Sequence, residues 1–340
     1  MSTLKIWARA LRTIPRIDRA EWDNYDIISR WLVATRSAVF IMTAISAMIG
    51  GILAWKDGNV NWVFFMVALF GLIFAHASNN LINDLVDFNK GIDVNNYYRS
   101  QYGPQPLENG FLTKPAFYRY IGFTLLLAVA AGIYLVMNTG PLTPLLAFLG
   151  LFFLLFYTWP LKYIGLGEPT VIMVWGPLMI GGTYYVSGGS VWSWEVAYIG
   201  LIYAIGPTSV LFGKHTDKLN EDKKKGVNTL PVILGERIAR YTNVGLWISQ
   251  YVLTGILVVV GTVSPVMLIT LLAIPKLLWA YRVYSKPRPE SEPPDLPKGV
   301  WPLYLSAHAF NYNKSFGGLF LLGLIADTIL FKTGYYFAFL

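Results

Sequence analysis

Nine stretches of this chain, each close to the length that crosses a hydrocarbon layer as a helix, leave it little choice of fold. They lie near 32–55, 61–83, 118–138, 142–159, 169–188, 195–215, 243–263, 265–283 and 315–332, and a helix needs roughly 20 apolar residues to cross a bilayer. Backbone polar groups in lipid must be satisfied within the protein, so such runs become helices packed on helices. The expected fold class is all-α: a polytopic membrane protein in which 32–340 form one bundle of nine transmembrane helices, preceded by a basic segment at 1–31. Composition agrees, because 55% hydrophobic and 14% charged residues, with a mean hydropathy of +0.48, leave too little charge to cover a water-soluble globule. The chain has no cysteine, which excludes disulfides, thiolate metal sites and cysteine nucleophiles.

The net charge of +8 is explained by where it sits. Lys and Arg collect in the N-terminal segment and in the connections after the second, fourth, sixth and eighth runs, while the other side holds little beyond Lys56 and Lys332. The positive-inside rule then places the N-terminus and these connections in the cytoplasm, with the cell membrane as the expected location. Lipid contact accounts for the charge, so a nucleic-acid partner is unnecessary. The segment 1–31 reads as an amphipathic helix carrying Arg9, Arg12, Arg16 and Arg19 on an anionic leaflet, or as a flexible basic tail.

The second apolar run ends in SNNLINDLVDFNKGIDV, residues 78–94. On a continuous helix Asn80, Asp84 and Asp87 recur at i, i+4 and i+7 and share a face. Carboxylates gathered on one face repel unless a positive charge lies among them, and hard oxygen ligands select a hard cation such as Mg2+. An EF-hand is ruled out, since its register puts Val86, Phe88 and Lys90 at ligand positions. A merely solvated helix end is disfavoured because acids at a C-terminus oppose the macrodipole. The sixth run ends in GKHTDKLNEDKKKGVNTLP, where Asp217, Glu221 and Asp222 offer a second acidic set among Lys214, Lys218 and Lys223 to Lys225. Two carboxylate sets on one side of the membrane, with lysines near, suit a metal-bound diphosphate. Taken alone, the lysine run is more often a solvated juxtamembrane stretch.

These motifs, with nine helices, resemble the UbiA superfamily of intramembrane prenyltransferases, which bind a polyprenyl diphosphate through Mg2+. The series YTWPLKYIGLGEPTVIMVWGPLMIGGTYYVSGG is most similar to the 1,4-dihydroxy-2-naphthoate prenyltransferases of menaquinone synthesis. The resemblance implies that Asn80, Asp84 and Asp87, supported by Asn83 and Asp93, form the first metal and diphosphate motif, and Asp217 and Asp222 the second. It also implies diphosphate contacts for Arg36 and Lys162, whose plainer readings are an interfacial arginine and an ordinary cytoplasmic lysine. Asp222 stands four residues before Gly226, as the family's last aspartate does, whereas helical spacing from Asp217 favours Glu221.

The chain departs from the family in two places. Gly213-Lys214-His215-Thr216-Asp217 replaces an Asn-Asn-x-Arg-Asp run with a gap to Asp222 one residue longer, and Gln105-Pro106 stands where an arginine is expected. Loss of that arginine fits an acceptor without a carboxylate, or no acceptor, as in a terpene cyclase. The implied reaction is departure of diphosphate followed by attack of an aromatic acceptor on the allylic cation, with Trp159, Tyr163, Trp175, Tyr184 and Tyr185 as aromatic faces near the mouth. Most such residues serve packing or the interfacial belt. His76, one turn before Asn80, reads as a base for a phenolic acceptor or, more often for such a residue, as a hydrogen-bonded histidine within the bundle. Glu168 suits the positive end of a helix dipole. The proline-rich stretch 285–299 reads as an extended cytoplasmic linker. A secondary transporter would hold its acids near the midplane, not at one face.

Overall fold

The computed structural model describes residues 2–92, 94, 98, 103–297 and 300–335, and they form helices and connections with no strand among them. Among the described residues seven helices are long and apolar enough to cross a membrane: Ser37–Lys56, Trp62–Asn89, Lys114–Asn138, Trp194–Asp217, Glu236–Val259, Pro265–Tyr284 and Tyr304–Lys332. The expected spans 142–159 and 169–188 differ. The first becomes Thr143–Phe156, only 14 residues. The second is Gly167–Met173, a π-helical stretch Val174–Gly181 containing Pro177, and then Gly182–Ser187. Proline has no N–H to donate and crowds the preceding turn, which gives this path its irregular hydrogen bonding.

The N-terminal segment also departs from a single helix. Helix α1, Thr3–Arg12, stops before Ile14-Pro15, and the chain resumes as α2, Arg19–Asp23, and α3, Ile27–Ala34. Two of its arginines make local ion pairs, Arg9 with Glu21 at 2.6 Å and Arg19 with Asp23 at 2.8 Å. Ile6 and Ala10 are buried in a cluster with Trp22, Leu32, Val33 and Phe117, so this side of α1 covers protein, while Leu4 and Leu11 of the same helix are exposed.

Two helices carry the polar motifs. Helix α4, Trp62–Asn89, starts at Asn61, whose side chain accepts from the backbone of Val63 and Phe64. Its 28 residues extend roughly 42 Å, more than the hydrocarbon core requires. Helix α5, Trp194–Asp217, is capped by Ser193 and lies at the centre of the bundle, with 78% of its apolar window buried against 11% for Lys114–Asn138. It meets the π-helical stretch at glycines: a Cβ on Gly176 would sit 3.1 Å from the Gly200 backbone, a crossing only small residues permit. On its other side α5 packs against helix α6, Tyr304–Lys332, and an aromatic core of Trp247, Tyr284, Tyr312 and Phe316. The interfacial end away from the motifs is closed by a buried pair, Lys56 Nζ to Asp327 Oδ2 at 2.7 Å, whose other oxygen accepts the Ser264 N–H at 2.6 Å.

Candidate active site

The predicted face of α4 forms, and its polar residues are engaged from two sides. Asp84 and Asp87 are each 3% exposed. From one side comes the segment after α3: the Asn80 amide donates to the Thr35 carbonyl at 2.8 Å, and the Arg36 guanidinium pairs with Asp84. Arg36 has φ +55°, a left-handed conformation that non-glycine residues adopt at a cost of about 1–3 kcal/mol. Its side chain is thus aimed by a strained turn at the first carboxylate of the motif. From the other side comes the short helical turn Leu161–Ile164, in which Lys162 Nζ lies 3.0 and 3.1 Å from the two oxygens of Asp87. The Tyr163 hydroxyl donates to the same carboxylate at 3.5 Å, and Asn83 donates to the Thr158 hydroxyl at 3.0 Å. Asp93 lies outside the described residues.

The second set is divided. Asp217, the last residue of α5, is fully buried, and its carboxylate accepts the backbone N–H groups of Leu305 and Ser306 at 2.9 Å each and Arg288 Nε at 3.0 Å. Asp222 lies on the short helix Leu219–Lys224, is 1% exposed and pairs through Oδ1 with Lys218 Nζ at 2.8 Å. Its Oδ2 is buried with no hydrogen-bond partner among the described residues. Glu221 faces outward, half-exposed, with Lys224 at 3.3 Å. Lys214 is half-buried on the last turn of α5. Lys223 and Lys224 are exposed as expected of a solvated run, but Lys225 donates to the carbonyls of Ile92 at 2.5 Å and Val94 at 2.8 Å, tying the loop of the second motif to that of the first.

Between the motifs lies a link that the sequence did not announce. Glu168 Oε1 meets His215 Nδ1 at 2.6 Å, both side chains 2% exposed, so Glu168 joins its loop to α5 in addition to lying in the first turn of a helix. His76 bonds through Nδ1 with the Thr43 hydroxyl at 2.8 Å and packs against Phe40 and Trp175, at 5.4 and 5.3 Å between ring centres. The hydrogen-bonded reading of His76 is therefore present in the fold.

The aromatic expectation needs correction at Tyr184 and Tyr185. Tyr184 donates to Asp57 at 2.5 Å, and the Tyr185 hydroxyl accepts the Leu142 N–H at 3.1 Å. Both stand at the far end of the path that begins at Gly167, about 25 Å from the motifs for a helical rise. Trp159 and Tyr163 take the Lys90 ammonium on their faces, at 5.0 and 5.2 Å. Trp175 alone of the five lines the interior beside His76.

Among the described residues no three acids or histidines converge as a preformed metal cage. Among the described residues Asp84, Asp87 and Asp222 instead pair with Arg36, Lys162 and Lys218. Such pairing is what buried carboxylates require on their own, since an uncompensated charge there is costly. The donor set nevertheless fits Mg2+: hard carboxylate oxygens at the end of a helix, with Asp222 Oδ2 still lacking a partner among the described residues.

Residues 43–296 match the UbiA prenyltransferase family. The chain is 26% identical to the Danio rerio UbiA prenyltransferase domain-containing protein 1, over 77% of each chain. It is 29% identical to the 1,4-dihydroxy-2-naphthoate octaprenyltransferase of Escherichia coli, over 62% of this chain and 70% of that one. Its fold matches that of an Archaeoglobus fulgidus UbiA homolog bound to GPP and Mg2+, with a TM-score of 0.59, 14% identity and coverage of 87% of this chain and 99% of that one. An all-helical membrane bundle, an acidic helix end matched by cations and a family match spanning most of its length together show that the chain belongs to the UbiA prenyltransferase family and is a prenyltransferase of that type.

Proposed function

We propose that this protein ionises a prenyl diphosphate with Mg2+ and transfers the prenyl group to an aromatic acceptor of the quinone-precursor class. The carrying observation is that Arg36 and Lys162, from separate parts of the chain, converge on Asp84 and Asp87 at one end of α4. Asp84, Asp87 and Asp222 would hold the metal, which supplies charge neutralisation to the departing diphosphate. Arg36, Lys162 and Lys218 are already beside those carboxylates, so each is placed to donate to diphosphate oxygens as well. Asn80 and Asn83 tie the flanking segments to this face and hold the cations in place. Phe40, His76 and Trp175 form the adjoining inner wall, where an aromatic surface excludes water and faces a developing allylic cation.

The helices Thr143–Phe156 and Gly167–Ser187 complete nine crossings, with the motifs on the cytoplasmic side of the cell membrane. The naphthoate branch is supported by the Escherichia coli relative. A cyclase acting on the diphosphate alone is the second reading, favoured by Gln105-Pro106 in place of an arginine. Gln105 is buried and its Nε2 finds no partner among the described residues. The test incubates purified protein with Mg2+ and a series of isoprenyl diphosphates, with and without aromatic acceptors, and reads product mass. Acceptor-plus-prenyl products establish transfer; hydrocarbon or alcohol formed equally without acceptor establishes cyclisation; no consumption of any diphosphate overturns both.

A further inference from the structure

We infer that Asp217 is a positioning residue: it clasps the cytoplasmic start of the last helix and the proline-rich linker, and the metal role of the second motif falls to Asp222. Three donors converge on the Asp217 carboxylate. Leu305 N–H and Arg288 Nε reach Oδ1 at 2.9 and 3.0 Å, and Ser306 N–H reaches Oδ2 at 2.9 Å. Leu305 and Ser306 open α6, whose first N–H groups have no partner within the helix. Leu303, the residue preceding that helix, supplies no side-chain cap, so the carboxylate delivered by α5 does the capping from a distance of 88 residues in sequence. A negative charge there also complements the positive end of the helix dipole.

Arg288 makes the clasp a junction of four elements. Besides Asp217 it donates through Nη2 to the Pro302 carbonyl at 2.8 Å and lies 4.4 Å over the Trp301 ring and 5.4 Å over that of Tyr98, which follows the first motif in sequence. Its backbone N–H donates to Glu236 Oε1 at 2.8 Å, at the start of Glu236–Val259. A metal ion at Asp217 would have to displace these donors and leave two helix-opening N–H groups and the Arg288 Nε–H unsatisfied. Asp222, five residues on, has the opposite character: one oxygen on a flexible lysine and the other buried without a partner among the described residues. By fixing the end of α5, the clasp sets the point from which Asp222 projects.

The test compares Asp217→Asn, Arg288→Gln, their combination and Asp222→Asn in the full chain, reading melting temperature in detergent and the Mg2+ concentration giving half-maximal turnover. Asp217→Asn keeps the shape but presents an NH2 group to a backbone N–H, so melting falls by roughly 5 °C. Arg288→Gln lowers it comparably, and the double variant falls by less than the two added, because both remove one junction. The Mg2+ requirement stays within about twofold of the parent in these three, whereas Asp222→Asn raises it roughly tenfold or more. Unchanged melting in Asp217→Asn with a tenfold higher Mg2+ requirement overturns the inference. Should Asp217→Asn fail to fold, Arg288→Gln decides alone, and its melting at the parent temperature overturns the clasp. The Mg2+ arm rests on the prenyltransferase reading; if the parent shows no Mg2+-dependent turnover that reading fails, while the melting arm still decides the clasp.

Discussion

The two acidic motifs begin alike and are used differently. In the first, Asp84 and Asp87 lie on one continuous helix, and their cations arrive from elsewhere: Arg36 from the turn before the first span, Lys162 from the turn after Thr143–Phe156. In the second, the helix ends at Asp217, the chain restarts at Leu219, and the acids part company, one inward to cap α6, one beside Lys218, one out to solvent. A continuous helix keeps a polar face together because its periodicity is fixed, whereas a broken one lets each side chain find its own partner. The lesson is that equal acid content does not make equal ligand sets.

The largest expected effect lies in the first motif. Asp84→Asn or Asp87→Asn should lower turnover by about 1,000-fold or more, since a hard ligand is lost with little change of shape. Melting temperature should show the protein still folded, and near-parent turnover in either variant would break the assignment of that motif.

The second motif offers the sharper contrast. Asp222→Ala should cost roughly 100-fold in Mg2+-dependent turnover and Glu221→Ala no more than about threefold, because the first is buried and the second paired only with a surface lysine. The reverse ranking in side-by-side assays would make Asp217 and Glu221 a regular helical pair.

Lys225 joins the two motif loops through the carbonyls of Ile92 and Val94. Lys225→Met should loosen that tie and raise the KM for diphosphate about five-fold with a smaller change in kcat, read by steady-state kinetics. An unchanged KM would separate the loops functionally.

The smallest effect concerns the delivery of Arg36. Asp26 caps α3 through the N–H groups of Ile28 and Ser29 and the Ser29 hydroxyl, and these donors hold its carboxyl below the usual range. A carboxyl depressed in the folded state contributes stability above its unfolded value, near 4 for Asp, and loses it as pH falls through the lower folded value. Asp26→Ala should therefore lower melting slightly at neutral pH, and the difference should shrink below about pH 4. A difference that grows on acidification would remove the cap from the account.

Much of this arrangement is legible in the sequence for physical reasons. Helix positions followed from apolar length, and the Asn80, Asp84 and Asp87 face from a period of 3.6, because both are local properties of sequence. The linker after Tyr284 was readable as non-helical from its prolines, and residues 285–297 contain no helix. The last helix begins at Tyr304, earlier than the apolar run at 315, because its first turns are polar and buried against α5 rather than exposed to lipid.

An all-helical membrane chain with two acidic helix ends on one side and cations near them follows from local pattern, since hydropathy, charge asymmetry and periodicity are all written along the chain. Which groups pair with which is settled by packing. Arg288 meets Asp217 across 71 residues, Glu168 meets His215 across 47, and Tyr184 stands at the end remote from the motifs. No local pattern encodes these meetings, because each depends on where two separately formed elements come to rest, and in a buried setting a carboxylate's role is set by the donors that reach it first.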